Sequence, residues 1–307
     1  MAQDTGNTTN LVRQQIYSDT ILASYTDFIV NQTLFRDYTS DFPDGDTLHI
    51  DQIGDILWKV YSENTDVDYT QIDTSRLTLT VSDYNQDAFY MTDKIKQDSW
   101  KSDRLFSERI ALSAKRLQVD LQSGLFSTAN SSQTVSNANN INSQPHRMAA
   151  VSGTFALQDL AKMKLSFDKA NVPQNGRILI IDPTVEYTLN SIANLVALDS
   201  NPAFQGIVET GFARDNRFVR NIYGFDIWTS NLLPAIASEA NLPDRAGANQ
   251  TITNGVANIA MYVGDEDGMA MMGVMRQTPS PEFIRNPNKK RDEWSVTERH
   301  GWGLQRP

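Results

Sequence analysis

The chain of 307 residues contains no cysteine. That absence removes disulfides, zinc–thiolate centres and cysteine nucleophiles together. Histidine is nearly as scarce. His49, His146 and His300 stand far apart, with no His-Glu-x-x-His pair, so no histidine-based zinc centre is read. Lysine and arginine (27) are outnumbered by aspartate and glutamate (37), which leaves a formal charge of −10. A chain that coats nucleic acid needs clustered cations against the phosphates, and this balance argues against one. The acidic residues are spread out, so their sign reads as solubility. No apolar run approaches the roughly 18 residues of a membrane-spanning helix. Residues 1–10 lack both a basic segment and an apolar core, which predicts no secretory leader and an intracellular product.

Catalytic and phosphate-binding motifs are missing as well. There is no Gly-x-Ser-x-Gly elbow, no phosphate-cradling glycine loop and no dinucleotide fingerprint. Asp265-Glu266-Asp267-Gly268 looks like part of a calcium loop, but the twelfth position, where a carboxylate is needed, is Arg276. A tight turn is the better reading. Two stretches mix aromatic and basic residues: Phe35-Arg36-Asp37-Tyr38, and Arg214 to Arg220 with Phe218 between the arginines. Both read as solvated loops and not as stacking platforms for a single strand. No carboxylate pair is singled out by spacing. The expectation is a protein with no enzymatic activity, no metal and no cofactor.

What is present is an ordinary globular composition, 40% hydrophobic and 21% charged, in a chain long enough for one elaborate domain or two modest ones. Residues 1–46 read as an N-terminal arm with some helix, ending in the turn-forming cluster Asp41-Phe42-Pro43-Asp44-Gly45-Asp46. Leu48, Ile50 and Gln52 share one face of a strand, and Leu77, Leu79 and Val81 alternate with threonine in a second. The polar, aromatic-dotted excursion between them, residues 54–76, is too long for a compact turn and predicts a projecting hairpin. Residues 93–126 predict one long helix, with Phe106, Ile110, Leu117 and Leu121 on one face.

A Ser/Asn/Gln-rich stretch, 127–153, reads as a linker, and a helix is predicted over 155–170. The chain then centres on 177–234. An apolar strand, Ile178 to Ile181, is broken by Asp182-Pro183, and a helix is predicted over 184–198. A surface loop follows over 201–214, and a glycine-hinged strand runs from Ile222 towards Pro234. Residues 234–254 read as coil, Ile259 to Val263 as a buried strand, and the end as an extended pass, a basic turn and a return strand. The fold class is α+β.

These elements, in this order, resemble the HK97-fold major capsid proteins of tailed double-stranded DNA bacteriophages. Gly45-Asp46-Thr47-Leu48-His49-Ile50 resembles the entry to that family's extended E-loop, and Leu77 to Val81 its return. Glu108 to Leu125, with its alanines and Asp120, is similar to the long spine helix. Gly176-Arg177-Ile178-Leu179-Ile180-Ile181-Asp182-Pro183 and Tyr223-Gly224-Phe225-Asp226-Ile227-Trp228-Thr229-Ser230-Asn231-Leu232-Leu233-Pro234 resemble two steps of the axial domain. Val296-Thr297-Glu298-Arg299-His300-Gly301-Trp302-Gly303 resembles the closing strand.

The resemblance implies an N-arm at 1–46, the E-loop hairpin with flanking strands at 47–92, and a peripheral (P) domain spine helix with linker at 93–149. The axial (A) domain follows at 150–274, further P-domain strands and their loop at 275–291, and a return strand at 292–307. It implies a subunit assembling with itself into hexamers and pentamers around double-stranded DNA, in a virion built in the host cytoplasm. Scaffolding and portal proteins are its other implied partners, decoration proteins are candidates, and no membrane is involved. The arm leaves no room for the scaffolding segment some relatives carry, so a separate scaffolding protein is expected. Candidate inter-subunit contacts are Leu48, Ile50, Leu57, Trp58, Tyr61, Tyr69 and Arg76 on the hairpin, with Lys289, Lys290 and Arg291 in the basic turn. The Lys–Asn pair and carboxylate of covalently crosslinked relatives do not map onto this chain, so crosslinking is not predicted. The alternative with the same fold is an encapsulin-like nanocompartment shell. A hydrolase and an adhesin are the readings from other classes.

Overall fold

The structure, a computed structural model, describes residues 33–42, 44–54, 58–99, 102–133, 143–191 and 221–306. The N-terminal arm up to residue 32, the loop predicted over 201–214 and the Arg214–Arg220 stretch lie outside the described residues. Among the described residues, twelve strands form two four-stranded sheets and two separate hairpins, accompanied by four α-helices.

The first sheet is built on a long antiparallel pair, β11 (Met271–Asn286) and β12 (Arg291–Leu304). Strand β4 (Asp83–Thr92) pairs antiparallel with β12, and the short β1 (Arg36–Asp37) pairs parallel with the start of β11. Beyond residue 275 β11 is an edge strand, which accommodates Pro279 and Pro281 and the two register shifts between Met275 and Ser280. Proline has no N–H to donate, and bulges at an edge deter pairing with stray strands.

The second sheet has the order β10–β5–β7–β6, from β5 (Arg177–Ile181), β6 (Asn221–Ile222), β7 (Phe225–Thr229) and β10 (Ile259–Tyr262). Every residue of β5 is buried. Its alternation divides the fold: Ile178 and Ile180 join the core shared with the first sheet, while Leu179 and Ile181 face the helices α3 (Leu157–Lys169) and α4 (Pro183–Ser191). A strand buried on both faces reads as a continuous apolar run, which is why it stood out in the sequence. Between β6 and β7, Tyr223 and Gly224 both have positive φ (52° and 86°), the signature of a tight two-residue hairpin turn. The predicted single strand is therefore a turn and two strands.

Two other expectations are corrected. The predicted single helix is two, α1 (Asp93–Asp98) and α2 (Ser102–Ser131), because Ser99 is extended (φ −114°, ψ 117°). Ion pairs hold α1 to the tip of the first sheet while α2 lies across it, and a hydrophobic period cannot record that change of direction. Helix α2 also runs on into the predicted linker, since Phe126 and Ala129 are drawn into the main core. Residues 234–254 are not coil but a hairpin, β8 (Ala235–Pro243) with β9 (Asn249–Val256). Asp244 sets its turn by accepting the main-chain N–H groups of Ala246 and Ala248, and Gly247 (φ 86°) closes it. Asx turns of this kind are local, and the missing apolar alternation hid the strands.

Arg177, at the root of β5, is only 1% exposed. It bonds Asp168 Oδ1 at 2.7 Å, and the carbonyls of Pro173 and Val172 at 2.9 and 2.6 Å. Its guanidinium also lies 5.5 Å from the centre of the Phe167 ring. Replacing it with alanine strands Asp168 and both carbonyls. Stability is expected to fall by about 3 kcal/mol, read as a lower urea midpoint for the dissociated subunit. Asp168→Asn should cost less, because that carboxylate keeps contact with water.

Candidate assembly surfaces

Strands β2 (Thr47–Ile53) and β3 (Thr74–Thr80) pair with Leu48 opposite Leu79 and Ile50 opposite Leu77. These four side chains turn towards a core of Tyr38, Phe42, Val81, Met272 and Val274, in which Leu79 is fully buried. The root of the hairpin is thus seated on β11 and β12, on the face opposite α2. The seat is close: a Cβ at Gly301 would lie 2.4 Å from the Thr80 carbonyl oxygen, and one at Gly303 2.7 Å from Met272. The other hairpin face is polar, with Arg76 Nε 2.7 Å from Asp51 Oδ1 and His49 against Thr78.

Beyond Gly54, whose N–H bonds the Asp73 carbonyl at 2.8 Å, the excursion leaves the body of the subunit. Trp58, Val60, Tyr61, Val67, Tyr69 and Ile72 all stand exposed, Trp58 at 97% and Val60 at 98%. The excursion holds itself by Lys59 on Asp68 at 2.6 Å and a turn at Ser62–Thr65. Large apolar side chains grouped in water on a rooted arm are unusual for a subunit that stands alone. Of the predicted contacts, Trp58, Tyr61 and Tyr69 each stand exposed on this excursion, and Leu57 lies outside the described residues. Leu48 and Ile50 pack within their own chain, and Arg76 is exposed but paired to Asp51.

The basic turn between β11 and β12 is fixed from within. Asn286 Oδ1 accepts the Lys289 N–H at 3.2 Å, and the Lys290 carbonyl accepts the Asp93 N–H at 3.0 Å. Arg291 bonds Glu293 at 2.6 Å and lies 4.3 Å from the centre of the Tyr90 ring. The exposed cations of the turn are Lys289 and Lys290. Sequence reasoning missed the ion network behind it. Asp292 is bonded by Lys96 and by Arg285 at 2.6 Å, and Arg285 also pairs with Asp93 at 2.6 Å. The Lys96 bond, then the Arg285 bond, hold the Asp292 carboxyl below its usual range against the opposing effect of burial. The Arg285 bond does the same for Asp93.

Trp294 centres an aromatic cluster beside that network, with ring-centre distances of 3.7 Å to Phe106 and 4.9 Å to Phe283. Lys96 caps it at 5.6 Å from the Trp294 ring centre. Along α2, Arg109 bonds both oxygens of Asp87 at 2.9 Å, and Ser113 donates to the same carboxylate. No signal in the sequence pairs residues two hundred positions apart. Asp265 and Asp267, in the predicted turn, are taken up by Tyr262 and Arg36, and no cluster able to hold a metal is found among the described residues.

A family model described as phage capsid protein matches residues 75–307. The chain belongs to the phage capsid protein family. Its fold is HK97-like, and it is a major capsid protein, the structural subunit of an icosahedral phage head and of the virion. Solved structures carry the same fold at low identity. One from Mycobacterium phage Che8 is 18% identical, covers 97% of this chain and 95% of its own, and has a TM-score of 0.68. The capsid of Cyanophage P-SCSP1u gives 15%, 96%, 90% and 0.70. The mature capsid of bacteriophage PhiM1 gives 14%, 96%, 90% and 0.61. No curated protein matches the chain. These likenesses give the nanocompartment reading no support.

The ion network makes a prediction with a definite sign. Its depressed carboxylates contribute stability in full above their unfolded value of about 3.9, and that contribution is lost as pH falls through their lower folded values. Amide exchange over residues 283–294 of the capsid protein should therefore accelerate only in strong acid. In Lys96→Met, with the principal partner of Asp292 gone, acceleration should begin at higher pH; an unchanged acid profile would remove Lys96 from the network.

Proposed function

We propose that this capsid protein tiles its shell as hexamers and pentamers around double-stranded DNA, each subunit clasping its neighbour through the exposed excursion. The observation that carries the reading is the set of large apolar side chains held in water on a hairpin whose root is buried. Three aromatic side chains at roughly 150–250 Å² each supply at least half of the ~800 Å² per partner that a stable interface needs. On this reading Trp58, Tyr61 and Tyr69, joined by Leu57, are the principal contacts. Arg76, Lys289, Lys290 and Arg291 are polar contacts at the rim, and Leu48 and Ile50 act indirectly by fixing the root.

The division of labour follows the boundaries named above: arm 1–46, hairpin 47–92, spine helix and linker 93–149, axial domain 150–274, then 275–291 and 292–307 completing the peripheral sheet. The chain performs no catalysis; its function is the wall. The net negative charge keeps that wall from gripping the genome. Assembly takes place in the host cytoplasm with a separate scaffolding protein and a portal, and decoration proteins are further candidate partners.

Changing Trp58, Tyr61 and Tyr69 together to serine should remove about 2 kcal/mol per lost anchor at each contact. Electron microscopy should then find free subunits where the natural protein forms polyhedral shells. The melting temperature of the dissociated subunit should hardly move, since these side chains stand in solvent there. Shells that persist unchanged would refute the clasp. Expression of this gene alone should give irregular or open assemblies; uniform closed shells would remove the need for a scaffolding protein.

A further inference from the structure

A groove runs between α3, the β8–β9 hairpin and the turn that carries Asp267. Its volume is about 1920 Å³, roughly twice the upper end of the 300–1,000 Å³ usual for small-molecule sites. A stretch of polypeptide is the occupant that such a space suits. Phe155, Met163 and Phe167 line it from the α3 side, and Ile236, Ile252 and Val256 from the hairpin. None of the six is buried.

The walls are fixed from behind. Asp159 of α3, only 3% exposed, accepts the Ala156 N–H at 2.8 Å and Arg245 of the hairpin turn at 3.2 Å. Arg147 ties Glu239 of β8 to the Asn130 carbonyl at the end of α2. The third side, the Asp265–Gly268 turn, is held by both ends of the described chain. Arg36 pairs with the Asp267 carboxylate, while Arg306 Nε and Gln305 Nε2 donate to its carbonyl at 2.8 and 3.3 Å. These contacts set the spacing of the walls before anything lies between them, which lowers the cost of binding.

The chain itself leads into this groove. Strand β1 runs parallel to β11, with Arg36 opposite Met272 and Asp37 opposite Gly273. Read backwards from Arg36, Phe35 stands edge-on to Trp302 at 4.7 Å, and Leu34 is 2% exposed in the main core. The same parallel course leads past Met271 and Ala270 towards the Asp265–Gly268 turn, all of which contribute to the groove's lining. Residues 1–32 precede this point. Among them Ile21, Tyr25, Phe28 and Ile29 recur at the i, i+4, i+7 and i+8 spacing of one apolar stripe. Phe28 comes so shortly before Thr33 that it stays within about 17 Å of it even at full extension.

We propose that the groove is the seat of this chain's own N-terminal arm, with Ile21, Tyr25, Phe28 and Ile29 packing against Phe155, Met163, Phe167 and the hairpin wall. The seated arm fastens α3 and the β8–β9 hairpin to the sheet edge from which it starts. This is a property of the single subunit and does not rest on the clasp by which shells assemble.

The absence of cysteine lets one introduced thiol report on the groove. In the dissociated subunit, Met163→Cys should react slowly with a maleimide. Changing Tyr25, Phe28 and Ile29 to aspartate in the same chain should speed that reaction at least about tenfold, since burying even one large side chain is worth about that factor. A second measurement leaves the groove untouched. With Phe28 replaced by a photoreactive benzophenone analogue, illumination of the dilute subunit should give intrachain crosslinks to residues 155–170 or 249–262. Equal thiol reactivity with and without the aspartates, or crosslinks that fall elsewhere, would overturn the proposal. So would protection of the thiol that arises only in assembled shells, because the occupant would then be a neighbour's arm or another protein.

Discussion

The pairing of β11 with β12 is the constraint on which the rest of the subunit depends. Helix α2 covers one face of this ribbon, the root of the projecting hairpin covers the other, β4 extends it, and α1 is tied to its tip. Two covers on one ribbon demand close approach. Gly301 and Gly303 let the hairpin root down on one side. At Gly273 a Cβ would come within 2.4 Å of the Trp302 ring. A side chain at Gly301 or Gly303 would push the hairpin root away, and one at Gly273 would collide with the Trp302 ring.

Rigidity at the root gives the excursion its meaning. A loose arm bearing exposed aromatic residues would collapse onto its own subunit or aggregate. Here the Leu48–Leu79 and Ile50–Leu77 pairs, packed against the sheet, set the direction in which the arm leaves, and the polar face of β2 and β3 keeps it solvated along its length. In the proposed clasp, a neighbouring subunit covers Trp58 and Tyr69 and takes them out of water. That is the thermodynamic logic of a subunit that is incomplete alone.

At the far end of the ribbon, charge takes over from apolar packing. Lys96, Arg285, Asp93 and Asp292 neutralise one another beside the Trp294 cluster, so the strand tip is firm despite its exposure. At the opposite end Glu298 and His300 are buried under α2 with their polar atoms incompletely matched.

Much of this was legible in the sequence because it is encoded by short-range pattern. The alternation of Leu48 and Ile50 with Leu77 and Leu79, the unbroken run of β5 and the apolar stripe of α2 each followed from periodicity. The exposure of Trp58, Tyr61 and Tyr69 followed instead from the length of an excursion that has no period. The break at Ser99, the β8–β9 hairpin and the intrachain engagement of Leu48, Ile50 and Arg291 did not. Three depend on a partner far away in the chain, Asp292 for α1, Met272 for the hairpin root and the Tyr90 ring for Arg291, while β8 and β9 lack apolar alternation. The burial of Glu298 beside His300 is of the same kind. By itself the sequence determined which segments are strands or helices with an apolar side, and that no metal or thiol chemistry is built from cysteine. Tertiary structure alone decided which apolar sides are covered from within and which charges meet, because both are set by approach across the ribbon, which no local spacing records.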